Sequence, residues 1–149
     1  MSADTASEGW RLMIERTLRD HGADSAMCGY VRNKASLSFT LPGGVMIRMD
    51  IDLPDPEAEE FRLTPSSRRP RSLQSRRDVY EQAVRLRWRA LAIAVKAKLE
   101  AVDSGISTLQ SEFLAFIVTP DGTTVGENVI PHLVPLIGAV HYELMPGGG

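Results

Sequence analysis

Residues 75 to 102, SRRDVYEQAVRLRWRALAIAVKAKLEAV, contain no proline or glycine, and their apolar positions recur at helical spacing. Tyr80, Val84, Trp88, Leu91, Val95, Leu99 and Val102 form one apolar stripe at about 100° per residue. Val79, Ala83, Leu86, Ala90, Ile93, Ala97 and Ala101 form a second stripe beside it, leaving Asp78, Gln82, Arg85, Arg89, Lys96, Glu100 and Asp103 as the polar face. The apolar arc is wider than the roughly 100° of a surface helix. The helix is therefore expected to be buried on two sides, either between other parts of the chain or in a subunit interface, and the chain to be a homo-oligomer. Ser75 and Asp78 resemble a capping box at its start, and Ser104-Gly105 supplies its stop.

The rest of the chain must pack against this helix. Thr5-Ala6-Ser7-Glu8 has capping-box spacing, and Trp10, Met13, Ile14 and Leu18 continue a helix that stops at His21-Gly22. Three strands are expected next, at 26–32, 35–41 and 45–53, joined by Asn33-Lys34 and Pro42-Gly43-Gly44. In the third, Val45, Ile47, Met49, Ile51 and Leu53 alternate with Met46, Arg48, Asp50 and Asp52, the period-2 pattern of a sheet with one wet face. Pro54-Asp55-Pro56 ends the sheet, and residues 54–74 read as a long loop. Beyond Gly105, a short helix at 107–113, an apolar strand at 114–118 and a turn at Thr119-Pro120-Asp121-Gly122-Thr123 precede a final helix over 125–140. Pro131 and Pro135 are expected to kink or interrupt that helix, and Met145–Gly149 to be a frayed tail.

The expected class is α+β: N-terminal helix, three-stranded antiparallel meander, long central helix, short hairpin-like turn and C-terminal helix. With 149 residues, 43 % of them hydrophobic, the chain suits a single domain over 1–149, with helix and meander in 1–53, the loop in 54–74 and the helical part in 75–145.

Charge is distributed unevenly. Residues 62 to 98 hold 11 of the 17 basic residues and two acids, Asp78 and Glu81. Immediately upstream, Asp50, Asp52, Asp55, Glu57, Glu59 and Glu60 form an acidic cluster able to pair with them. Arg87 and Lys98 break the apolar arc at nearly the same angle, about 16 Å apart along the axis. They either snorkel and pair with acids or line an anion pocket, with Trp88 as a stacking surface or a core residue.

Few reactive constellations are present. His21, His132 and His141 lack metal-site spacing, and the single cysteine, Cys28, excludes a disulfide framework or cysteine-cluster metal site. No phosphate-binding glycine loop or nucleophile elbow occurs. Asp50 and Asp52 share a strand face, as acid–base or Mg²⁺ chemistry needs, but alternating acids on a wet face are commonplace. The expectation is a protein without catalytic residues, metal or cofactor. Lacking an export signal or a membrane-length apolar run, it is expected in the cytoplasm, without a membrane partner.

RWRALAIAVKAKLEAVDSGIS, followed by EFLAFIVTPDGTTVGENVIPHL, resembles a family of small phage and prophage proteins. In that family a W-R-A-L…K-A-K-L-E-A-V-x-S-G-I helix precedes E-F-L-A…P-D-G-x-T-V-G-E, and the likeness covers about residues 76 to 133. The resemblance implies a phage accessory role in the bacterial host cytoplasm. Phage accessory proteins include decoys and sponges, among them the Thoeris anti-defence class that captures nucleotide signals, an analogy at the level of protein class. The expected function is retention of an anionic, nucleotide-like ligand by Arg68, Arg69, Arg71, Arg76 and Arg77 at the loop and helix start, with Arg87, Trp88 and Lys98 deeper. The alternatives are DNA or RNA binding through the same surface, or inhibition of a host protein through the Asp50–Glu60 cluster.

Overall fold

The computed structural model describes residues 3–144, so the expected Met145–Gly149 tail lies outside the described residues. Helix α1 (Ala3–Asp20) is followed by strands β1 (Asp24–Val31), β2 (Lys34–Thr40) and β3 (Met46–Asp52), paired antiparallel in the order β1-β2-β3. Helix α2 (Glu59–Arg62) and the 31-residue α3 (Leu73–Asp103) come next, then α4 (Leu109–Phe113), a 3₁₀ turn at Leu114–Phe116 and α5 (Val125–Leu144). The architecture is α+β.

Side-chain alternation along the strands decides where the core sits. The register pairs Ala35 with Ile51, Leu37 with Met49 and Phe39 with Ile47, which puts an apolar set on one face of the sheet. Ile14 and Leu18 of α1 and Val84, Trp88, Leu91, Val95 and Leu99 of α3 cover that face, and all are buried. Full burial stabilises by roughly 1.5–3 kcal/mol for a large side chain, so the first stripe of α3 is the main seam of the fold. Phe113 closes one end, edge-on to Phe39 with ring centroids 5.4 Å apart.

The second stripe of α3 departs from expectation. Leu86 and Ile93 are 48 % and 51 % exposed, and Ala90 and Ala97 are exposed with them. They lie roughly 160–240° around the axis from Val95, on the side away from the sheet. Within one chain α3 is thus buried on one side rather than two, because α5 packs on the 3₁₀ turn and leaves that side uncovered.

Several boundaries move for local reasons. Helix α3 starts at Leu73 with Ser72, not Ser75, as cap: the Ser72 hydroxyl accepts from the Ser75 N–H at 3.1 Å. It ends as expected, Gly105 taking the left-handed φ of +82° just past the Ser104 cap. Helix α1 begins before Thr5, which therefore sits inside the first turn. The first hairpin turns at Arg32-Asn33, since Val31 pairs with Lys34. The expected 114–118 strand is largely the 3₁₀ turn, and only Ile117 and Val118 are extended, bridging Ile47 and Thr124. Burial of Phe113 keeps the chain coiled until that point. Helix α5 runs through Pro131 and Pro135 without interruption.

Candidate ligand-binding site

The 54–72 connector is folded rather than open. Leu63 bridges Pro70, the Thr64 N–H donates to the Arg69 carbonyl at 2.9 Å, and the Arg71 N–H donates to the Arg62 carbonyl at 2.7 Å. Most of its arginines hold this shape. Arg68, itself at a left-handed φ of +52°, reaches Glu59 at 2.7 Å, and Arg76 reaches Glu57 at 3.3 Å. Arg68 holds the Glu59 carboxyl below its ordinary range by hydrogen bonding and charge. Arg71 donates through Nε to the Leu63 carbonyl at 3.0 Å and through Nη1 to the Ser75 hydroxyl at 3.2 Å. The basic segment is thus partly self-paired with the acidic cluster, in solvent-screened pairs that contribute little to stability. Arg69 and Arg77 are exposed, and no carboxylate lies within salt-bridge distance of either among the described residues.

The deeper candidates do not converge. Trp88 is 0 % exposed; its indole N–H donates to the Tyr30 hydroxyl at 3.0 Å and its ring meets that of Tyr30 edge-on. The Arg11 guanidinium lies 5.7 Å from the Trp88 ring centroid. Trp88 is a core side chain, and a stacking ligand would have to displace Tyr30. Lys98 is half-buried: its ammonium donates to the Glu112 carbonyl at 3.0 Å and sits over the rings of Phe113 and Phe116 at 5.8 and 5.5 Å. Arg87 is exposed at the edge of the outer face. Arg77, Arg87 and Lys98 are spaced along α3 by about 15 and 16 Å, so the structure does not gather them around one ligand.

One of these residues does line a concave site. Arg77, Tyr30, Tyr80, Glu81, Leu53, Val84 and Ser7 line an open concavity of about 380 Å³ where α3 passes β1 and the end of β3. That volume is in the range of a small-molecule pocket. Its aromatic walls are fixed from behind: the Tyr80 hydroxyl donates to the Pro54 carbonyl at 3.0 Å, and the Tyr80 ring packs edge-on against Phe61. Burial pushes the Tyr80 phenol above its ordinary range, so it stays a neutral donor. Arg77 and Glu81 stand one turn apart on the same wall and offer a five-donor fork and an acceptor. Sequence reasoning missed Tyr30, Tyr80 and Glu81 as site residues. The i,i+4 spacing of Arg77 and Glu81 was visible, but the approach of Tyr30 is a tertiary contact.

The Asp50 and Asp52 pair lies on the wet sheet face, as the alternation required, and there it is engaged structurally. Arg48 donates to Asp50 at 3.3 Å, to Glu127 at 3.0 Å and to the Gly122 carbonyl at 2.7 Å, while Ser36 donates to Asp50 and Lys34 lies 3.6 Å from Asp52. Arg48 thereby clamps the 119–124 turn and the start of α5 onto the sheet. In that turn Gly122 takes a φ of +88°, and donors from Thr119 and Thr123 pull the Asp121 carboxyl down to about 2.

His21 joins two helix ends, donating through Nδ1 to the Thr17 carbonyl and through Nε2 to Asp103, each at 2.8 Å. The Thr17 hydrogen bond and then Asp103 raise its pKa. Burial pushes the Cys28 thiol up to about 12, which removes it as a nucleophile near neutral pH. Among the described residues no group of three or more His, Cys, Asp or Glu side chains could hold a metal ion, and no helix is long and apolar enough to cross a membrane. No protein-family model, curated protein or solved structure matches the chain.

Proposed function

We propose that this chain is a non-catalytic binding protein that holds an anionic, nucleotide-like small molecule in the cavity beside α3. The observation that carries this reading is Arg77: it lacks a carboxylate partner among the described residues and stands on the wall of a pre-formed cavity with tyrosine sides. Its fork suits a phosphate or carboxylate bidentately, Glu81 accepts from a hydroxyl or amino group, and Tyr30 and Tyr80 offer apolar surface to a ring. Arg69 adds positive potential from the connector. Arg68, Arg71 and Arg76 act indirectly, by fixing the connector that leads into α3. The resemblance of residues 76–133 to small phage and prophage proteins supports an accessory, ligand-sequestering role inside a bacterial host.

The alternatives draw less support. Of the loop and helix-start arginines that nucleic acid would use, Arg68 and Arg76 are paired with Glu59 and Glu57 and Arg71 is turned to the Leu63 carbonyl and Ser75, which leaves Arg69 and Arg77 for a phosphate backbone. Asp50, Asp52, Glu57 and Glu59 each have an internal basic partner, which leaves the acidic cluster less free for a host protein.

Thermal stabilisation by a panel of cyclic and ADP-ribose-type nucleotides tests the reading, with a random oligonucleotide titrated at several salt concentrations in parallel. Stabilisation by a nucleotide that disappears in Arg77→Ala is the expected result. Oligonucleotide binding with a steep salt dependence, and no nucleotide effect, would overturn it in favour of nucleic acid. No response to either would leave a protein target.

A further inference from the structure

Among the described residues, α3 and α5 each present an uncovered apolar stripe. The outer seam of α3 presents Leu86, Ala90, Ile93 and Ala97 at alternating spacings of four, three and four residues, the pattern of a helix–helix seam. The second surface is on α5, where Val129, Ile130, Leu133, Val134 and Leu136 are between 41 % and 63 % exposed. Proline at 131 and 135 removes two backbone donors from α5, so this helix depends more on packing than one without them. Its start is held by Arg48 and by Gly126, where an added Cβ would stand 2.8 Å from the Ala115 carbonyl oxygen.

The charges distinguish between occupants. Arg89 and Lys96 border one edge of the α3 seam and Arg87 the other; all three are exposed, and none has a carboxylate within 4.0 Å among the described residues. Packing α3 against a second α3 would bring two sets of these three cations to one seam, offset only by the exposed Glu100 on the Arg89 and Lys96 edge. Helix α5 has no Lys or Arg, and its acids are Glu127, already held by Arg48, and Glu143. Laying α5 on the seam therefore covers its apolar stripe without adding a cation to its edges.

We propose that two copies of the chain exchange α5, each laying the Val129–Leu136 stripe on the outer face of the other's α3. The contact is reciprocal and closes as a two-fold dimer, which covers the α3 seam and the α5 stripe at once.

Multi-angle light scattering on the full chain across the micromolar range tests this, with Ile93→Glu and Leu133→Glu, both at exposed positions that leave the buried stripe intact. The wild type is expected at twice 16.4 kDa and each variant at 16.4 kDa, with helical circular dichroism unchanged. An equimolar mixture of the two variants is expected to recover part of the dimer, because one of the two α5-on-α3 contacts is then free of both substitutions. A monomeric wild type, a dimer indifferent to either substitution, or a mixture that stays monomeric overturns the proposal. Monomers with Ile93→Glu but dimers with Leu133→Glu overturn it in favour of α3 packed on α3.

Discussion

Replacing Lys98 by Met separates anchoring from ligand binding at a residue that the sequence placed in an anion pocket. Methionine keeps most of the apolar stem and removes the ammonium, together with its 3.0 Å hydrogen bond to the Glu112 carbonyl and its position over Phe113 and Phe116. A hydrogen bond from a charged donor contributes about 1.5–3 kcal/mol, and a partly desolvated cation over a ring about 1 kcal/mol. Half-exposure and non-additivity reduce the sum, and the expected loss is about 2 kcal/mol, or roughly 4–8 °C in Tm for a chain of this size. Urea unfolding should show a lower midpoint with an unchanged m-value. Nucleotide affinity should stay at the wild-type level, since Lys98 lies more than 30 Å along α3 from Arg77, at roughly 1.5 Å per residue. A loss below about 0.5 kcal/mol, or a tenfold fall in affinity with stability intact, would refute the assignment of Lys98 to the α3–α4 junction.

Three further outcomes follow from the packing. With its thiol raised from 9.0 to about 12, the half-buried Cys28 should react with a disulfide reagent roughly 30- to 60-fold more slowly in the native protein than in urea at neutral pH, since the smaller thiolate fraction is partly offset by greater thiolate nucleophilicity; equal rates would contradict its desolvation. His21 has a folded pKa raised above 6.5, so its tie to Thr17 and Asp103 stabilises fully below that pH and weakens as pH rises through the folded value. Urea melts should lose up to about 1 kcal/mol over that window, and His21→Gln should remove the dependence; stability that increases with pH only in the wild type would reverse the sign. Gly126→Ala forces a Cβ toward the Ala115 carbonyl at 2.8 Å, and hydrogen exchange should show faster opening of α5 with β2 and α3 unchanged; uniform protection would contradict the close seat of α5.

Those parts of the fold governed by a short repeat were legible in the sequence. Alternation over 45–53 gave β3 its buried and wet faces, and the stripe from Val84 to Leu99 marked the side of α3 that meets the sheet. The second stripe was equally visible, but periodicity reports apolarity and not which neighbour arrives, so Leu86 and Ile93 could not be placed in solvent beforehand. The same limit applies to the site. Composition drew attention to the arginines as a group, whereas their roles depend on contacts across the chain: Arg68 and Arg76 meet Glu59 and Glu57, and Arg77 meets a cavity built by Tyr30. Trp88 stands out in sequence because it sits among arginines at 85, 87 and 89, yet helical geometry turns its ring inward and theirs outward.

Isothermal titration of ADP-ribose into the wild-type chain and into Arg77→Ala measures the central claim most directly. Saturable binding to the wild type is expected, weakened roughly 10- to 100-fold in the variant, the loss of one charge-assisted phosphate contact of about 1.5–3 kcal/mol. Absence of wild-type binding, or equal affinity in the variant, would contradict a ligand site at Arg77.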